Sequence, residues 1–193
     1  MIFVTVGSQM PFDRLIRAVD EWAEERDKPD VFAQVGRTDY MPRHMGWTAA
    51  LSPADYRQRV FDADVIIAHA GMGSIITALQ FGKPILVMPR RGPLGETRND
   101  HQVATAARFR AVDWVTVAMN EHELAERLAS LEQLTAPRPI CSHASLELLT
   151  TVRDFIAGDP QMTPANVNGG GSHRIALPPM SAGLKEYKDV KAA

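Results

Sequence analysis

The residues in this chain best suited to chemistry are His69-Ala-Gly-Met-Gly-Ser74, which follow the apolar run Val65-Ile-Ile-Ala68 and open a helical stretch from Ser74 to Phe81. A strand that feeds a glycine-bearing turn and then a helix leaves several backbone N–H groups unpaired, and the helix dipole adds positive potential there. His69, Gly71, Met72, Gly73 and Ser74 therefore read as an anion cradle, with phosphate as the anion that suits it. About one βα unit later, after Lys83-Pro-Ile-Leu-Val-Met-Pro89, come Gly95-Glu96 and Asn99-Asp-His-Gln102 at the start of another helix. Two polar helix starts on neighbouring strands predict a ligand with a phosphate end and a hydroxyl-rich end.

Those turns need a scaffold, and apolar strands alternating with helices supply one. Ile2 to Val6, Val31 to Val35 and Gly46 to Leu51 read as strands. Val65 to Ala68, Ile85 to Met88 and Trp114 to Val117 are apolar without alternation, as in parallel strands covered on both faces. Phe12 to Arg26 places Leu15, Ile16, Val19, Trp22 and Ala23 on one helical face. Further helices are predicted from Ser52-Pro53 to Phe61, with the serine as N-cap, from about His101 to Arg110, from Glu121 to Leu134 and from Ala144 to Ala157. The class is α/β, a Rossmann-like doubly wound parallel sheet, whose ligands bind beyond the carboxyl ends of the strands.

Composition narrows the function. A chain of 193 residues that is 45% hydrophobic can bury one substantial core. Residues 1–158 are expected to form that domain, and the Pro- and Gly-rich segment 159–193 reads as a flexible tail. A net charge of -2 argues against nucleic-acid binding, which needs a basic face. The single cysteine, Cys141, rules out an internal disulfide and a cysteine-based metal site, and is expected to be buried or half-buried. The apolar start lacks a basic leader, and the apolar stretch 65–81 breaks at His69, Gly71 and Gly73, so a soluble cytoplasmic chain is expected.

Several blocks in order carry a family resemblance: Met1-Ile-Phe-Val-Thr-Val-Gly-Ser8 with Pro11-Phe-Asp-Arg-Leu15, then Phe61 to Ser74, Gly82-Lys-Pro84, and Gly95-Glu96 with Asn99-Asp-His-Gln102. Together they resemble the C-terminal half of family 28 glycosyltransferases, above all the free-standing small subunits of split enzymes. The resemblance covers roughly residues 1 to 157 and implies one half of a GT-B glycosyltransferase that holds a UDP-sugar. It implies that Gly7, Ser8 and the His69–Ser74 turn meet the donor diphosphate. Leu51 and Ser52 would meet the uracil, and Glu96, Asp100, His101 and Gln102 the donor sugar. Thr77 stands where the family places a ribose-binding glutamate. A complete enzyme of this fold is about twice as long, so a membrane-associated acceptor-binding subunit is the implied partner. It would hold the chain at the inner face of the membrane. A lipid-linked saccharide is the implied acceptor, exopolysaccharide synthesis the setting, and no cofactor or metal is required. Charge on a departing diphosphate can be met by preorganised N–H dipoles.

Each element also has a plainer reading. His69 alone would pass for a core histidine, and Gly82-Lys-Pro84 is a helix stop. Arg90 and Arg91 follow a strand end, where they either meet an anionic diphosphate or acidic sugar or lie in a solvated loop. Asn99 and Asp100 are possible caps, whereas His101 and Gln102 fall inside the first turn. Asp62-Ala-Asp64 precedes its strand and so lies at the wrong sheet edge for a metal site. A dinucleotide fingerprint would need a third glycine where Ile76 stands. No residue is marked as a catalytic base, which leaves a noncatalytic nucleotide-sugar-binding or stabilising subunit as the alternative.

Overall fold

The apolar runs become neighbours in one parallel sheet. The computed structural model describes residues 1–26, 30–111, 114–141 and 143–158, so the tail reading for 159–193 lies outside the described residues. Among the described residues, the strands are β1 (Ile2–Thr5), β2 (Val31–Gln34), β3 (Gly46–Thr48), β4 (Val65–His69), β5 (Ile85–Met88) and β6 (Thr116–Val117), in the order β3-β2-β1-β4-β5-β6. Every pairing is parallel. The order reverses between β1 and β4, so the crevice beyond their carboxyl ends is the expected ligand position.

Both faces of this sheet are covered, which explains the lack of alternation. Val4, Ile67, Leu86 and Met88 point to one side, against Leu15, Ile16 and Val19 of α1 (Asp13–Glu25) and Leu124 and Leu128 of α5 (Glu121–Ala129). Their chain neighbours Phe3, Ile66, Ile85 and Val87 point to the other. There they meet Val60 of α2 (Pro53–Asp62), Ile75, Ala78 and Leu79 of α3 (Met72–Gln80), and Ala106 of α4 (His101–Phe109). Successive strand side chains alternate between the two layers, so each must be apolar.

The boundaries differ from expectation where local chemistry decides them. Helix α3 begins at Met72 and not Ser74, with Gly71 as its N-cap, so Gly73 lies inside the first turn. The helix expected to run to Leu134 ends at Ala129 and is followed by a 3₁₀ turn over Leu131–Gln133. The last strand keeps only Thr116 and Val117, and Trp114 is exposed. Cys141 is exposed, contrary to the burial expected, because it lies in an irregular stretch beyond the last strand. Ser52 caps α2 by accepting from Asp55 N, as the sequence predicts, and Gly82 takes the positive φ of a helix stop.

The chain divides into two units, Met1–His143 and Ala144–Ala193. In the second, helix α6 (Leu146–Ala157) is capped by Ser145 and has no buried residue.

Helix α1 also pins the connection between β2 and β3. Asp20, fully buried, accepts hydrogen bonds from Arg43 N, His44 N and the Tyr40 hydroxyl. Asp13 accepts from the Thr38 hydroxyl and from Asp39 N. Burial works against the Asp20 charge, but the two amides and the phenol outweigh it and hold its pKa below the usual aspartate value. Burial first, and then the same bond, pushes Tyr40 up to about 12. Asp20→Ala leaves three donors without their acceptor and should cost about 3 kcal/mol in urea unfolding. Because the folded pKa is depressed, the Asp20 contribution is complete above the ordinary aspartate range and is lost as pH falls through the lowered value. An Asp20→Ala variant should therefore lose part of the parent's acid sensitivity.

Candidate functional site

The C-terminal ends of β1, β2 and β4, with the connections after β3 and β5, enclose a cleft of about 670 Å³. Its floor is built from two glycine turns packed against one imidazole. Gly7 follows β1 with φ of 73°, and a Cβ there would lie 2.8 Å from His69 Cε1. At Gly71 a Cβ would lie 2.2 Å from His69 Nε2. Glycine is required at both positions because the ring already fills the space. At Gly73 a Cβ would meet nothing within 4 Å, so that position borders open volume.

His69 is held neutral. Burial first, and then the Arg90 charge, bring its pKa down to about 4, against a weaker pull from the Thr5 backbone. Its Nδ1 is buried without a hydrogen-bond partner. Beside it, Ser74 is 7% exposed and lies 3.4 Å from the Tyr56 hydroxyl. Helix α3 starts without a side-chain cap, whereas Ser52 and Asn120 cap α2 and α5. The first-turn amides of α3 therefore remain available to a ligand.

The second wall hangs on Arg90, which is 3% exposed. Its guanidinium donates to the Val6, Pro11 and Glu96 carbonyl oxygens at 2.6, 2.7 and 3.0 Å. Burial lowers its pKa to about 10, with Glu96 opposing, so it stays charged at neutral pH. Arg90 borders the cleft, but its work is to tie the β1–α1 connection to the β5–α4 connection. Glu96 is similarly committed. Its carboxylate accepts from Arg14 Nε and Nη2 at 2.8 and 2.9 Å and from Arg91 N at 2.8 Å. Burial opposes the Arg14 charge, yet its pairs with Glu96 and Glu121 raise its pKa overall.

The cleft thus brings together Gly7, Ser8, Leu51, His69, Gly71, Gly73, Ser74, Thr77, Arg90, Glu96, His101 and Gln102 from the sequence-derived set. It does not bring in Ser52, Met72, Asp100 or Arg91. Ser52 is occupied as a cap that also donates to Asp55, and Asp100 accepts from Gly92 N. Met72 is exposed beside the turn, and Arg91 turns away to the Met119 carbonyl. Thr77 lies on the wall, with its hydroxyl donating back to the Gly73 carbonyl. Gln102 uses Oε1 to accept from Arg90 N, and the His101 ring pairs with Asn99. Sequence reasoning missed Gln34, Tyr56, Arg57 and Arg98, which also line the cleft. Gln34 ends an apolar strand, and the other three carry no motif. Among the described residues, no group of three or more His, Cys, Asp and Glu side chains is placed to hold a metal ion.

Two measurements test this floor. Gly71→Ala should destabilise the chain by about 1–3 kcal/mol because the new Cβ collides with the His69 ring, while Gly73→Ala should be neutral or stabilising by up to about 1 kcal/mol. Since the folded pKa of His69 is depressed, its contribution is complete above the unfolded value near 6.5 and is lost as pH falls toward about 4. The loss is on the order of 3 kcal/mol, and a His69→Gln variant should not show it in unfolding curves across that range.

The glycosyltransferase family 28 C-terminal domain matches residues 1–138. Among solved structures, the chain is similar to the glycotransferase of kitacinnamycin, at 20% identity and a TM-score of 0.50, over 67% of this chain and 34% of that one. It is similar to a protein assigned as a UDP-N-acetylglucosamine 2-epimerase from Listeria monocytogenes, at 12% identity and 0.57, over 81% and 45%. It is also similar to ALG13, at 21% identity and 0.51, over 74% and 90%. At these identities the likeness concerns the fold. The chain spans less than half the length of the first two and nine-tenths of ALG13's. With more than half of its length matched, over the segment that builds the cleft, the chain belongs to the family of glycosyltransferase family 28 C-terminal domains.

Proposed function

We propose that this chain is the donor-binding subunit of a UDP-sugar-dependent hexosyltransferase. In this reading it works with a membrane-associated acceptor-binding partner and transfers the sugar to a lipid-linked saccharide in exopolysaccharide synthesis. The observation that carries the reading is the cleft at the β1/β4 switch point, where two glycine turns and the uncapped end of α3 converge around an uncharged imidazole. Such a floor presents N–H dipoles to a diphosphate without a competing carboxylate. The exposed Arg57 and Arg98 on the wall add positive charge at its rim. Leu51 and Pro53 give an apolar seat for a base on one side. His101 and Gln102 offer directional groups to sugar hydroxyls on the other.

In the proposed transfer, the bond from the sugar C1 to the diphosphate oxygen breaks as an acceptor hydroxyl attacks. This chain's part is to hold the diphosphate and meet its growing charge through the turn amides and Ser74. Deprotonating the acceptor is a different matter. Glu96 is engaged by Arg14, Asp100 by Gly92 N, and His69 is buried with a pKa near 4. None of these is placed as a free base, which favours a partner that supplies one together with the acceptor. Among the described residues no helix is long and apolar enough to cross a membrane, so contact with a lipid-linked acceptor would run through the partner.

Calorimetry should detect UDP and UDP-sugar binding to the chain, with sugar transfer appearing only when the acceptor-binding subunit is added. Transfer by the single chain would overturn the split-enzyme reading. A partner complex that binds UDP-sugar without transferring it would favour the noncatalytic alternative. Gly73→Val should weaken UDP binding about tenfold or more while leaving the unfolding midpoint in place, because its side chain enters open volume that only a ligand uses.

A further inference from the structure

Gln34 sits at the last position of β2, in register with Thr5 of β1. It is 7% exposed and borders the cleft. The fully buried Thr5 hydroxyl donates to Gln34 Oε1 at 2.8 Å, and Thr5 Oγ1 itself accepts from Gly7 N at 3.3 Å. That pair of bonds sets the amide. With its lone pair turned to Gly7, the threonine directs its proton to the glutamine carbonyl, which leaves Nε2 as the free end. Among the described residues no acceptor is bonded to that nitrogen. That donor borders the cleft and stands two hydrogen bonds from the Gly7 turn.

We propose that Gln34 is a diphosphate-binding residue, its Nε2 donating to a non-bridging oxygen, so that β2 joins β1 and β4 in the anion site. The inference rests on the donor-binding reading above. Two features favour a phosphate oxygen over a sugar hydroxyl. The Thr5 bond consumes the amide's acceptor, so Gln34 presents donors alone, and a phosphate oxygen needs donors alone, whereas a hydroxyl also seeks an acceptor for its proton. The location also disfavours a charged side chain. A lysine at this 7%-exposed position would pay a large desolvation cost, while an amide donates with no net charge.

The test is UDP titration of the wild-type chain, Gln34→Met and Gln34→Glu at about pH 8 and pH 5.5, with unfolding midpoints recorded for each. Gln34→Met keeps the shape and loses the donor, and should weaken UDP binding about fivefold. Gln34→Glu keeps the Thr5 bond but sets a carboxylate against the phosphate, and should weaken it about thirtyfold or more at the higher pH. Relative to wild type at the same pH, that deficit should shrink at least about threefold at the lower pH, as the introduced carboxyl takes a proton. Affinity in Gln34→Glu equal to or above that of Gln34→Met at the higher pH would overturn the proposal, because an acceptor would then serve as well as a donor. Unchanged binding in both variants would also overturn it. Should Gln34→Glu not fold, Gln34→Met decides alone: a loss of affinity with an unmoved midpoint supports the contact, and wild-type affinity removes it. A wild-type chain that does not bind UDP overturns the donor-binding reading and this contact together, whereas wild-type binding with indifferent variants overturns the contact alone.

Discussion

The Arg90 guanidinium is a buried cation whose hydrogen-bonding partners are backbone carbonyls. A charge so placed must be well solvated by dipoles, and the Val6, Pro11 and Glu96 oxygens supply them. In doing so it fixes two connections from either side of β4 relative to one another, and those connections are the walls of the cleft. The Phe12 ring lies under the same guanidinium, 5.0 Å from ring centre to its carbon. Arg90 also reaches electrostatically into the floor, where its charge adds to burial in keeping His69 unprotonated. One residue thus sets the spacing of the walls and reinforces the uncharged state that burial imposes on the floor.

The floor itself is a packing solution. An imidazole at the end of β4 needs room on both sides, and Gly7 and Gly71 yield it by having no side chain. The ring in turn packs against both turns, so their backbone geometry is held from beneath. The network Gly7–Thr5–Gln34 extends this support sideways to β2. The β2–β3 connection is anchored by the α1 carboxylates Asp13 and Asp20, so β2 ends in a defined place.

Much of this was legible because it is written in backbone-demanding residues. The six apolar runs, the Ser52 cap, the Gly82 stop and the glycine turn after β4 all follow from local rules that act within a few residues. The cleft's glycines and His69 were found for the same reason. What escaped depends on distant partners. Arg90 and Glu96 look like ligand contacts until their partners at Val6, Pro11 and Arg14 come into view. Asp20 is not part of the apolar face that the spacing of α1 shows, and its three donors arrive from a loop twenty to twenty-four residues later. Gln34 and Tyr56 carry no motif, since their significance comes from strand order and not from spacing along the chain.

The missing cap on α3 bears on how such a chain can change over generations. Elsewhere a helix start with glycine at its N-cap is improved by mutation to Ser, Asp or Asn, a gain of roughly a few tenths of a kcal/mol. Here that route is closed, because any side chain at Gly71 collides with His69. The fold cannot heal its own defect without dismantling the ring that occupies the turn. Selection for heat tolerance would then have to act at other positions, and variants drifting toward greater stability would keep this helix end bare. The defect persists through sequence divergence by steric necessity, independent of whether the site is in use.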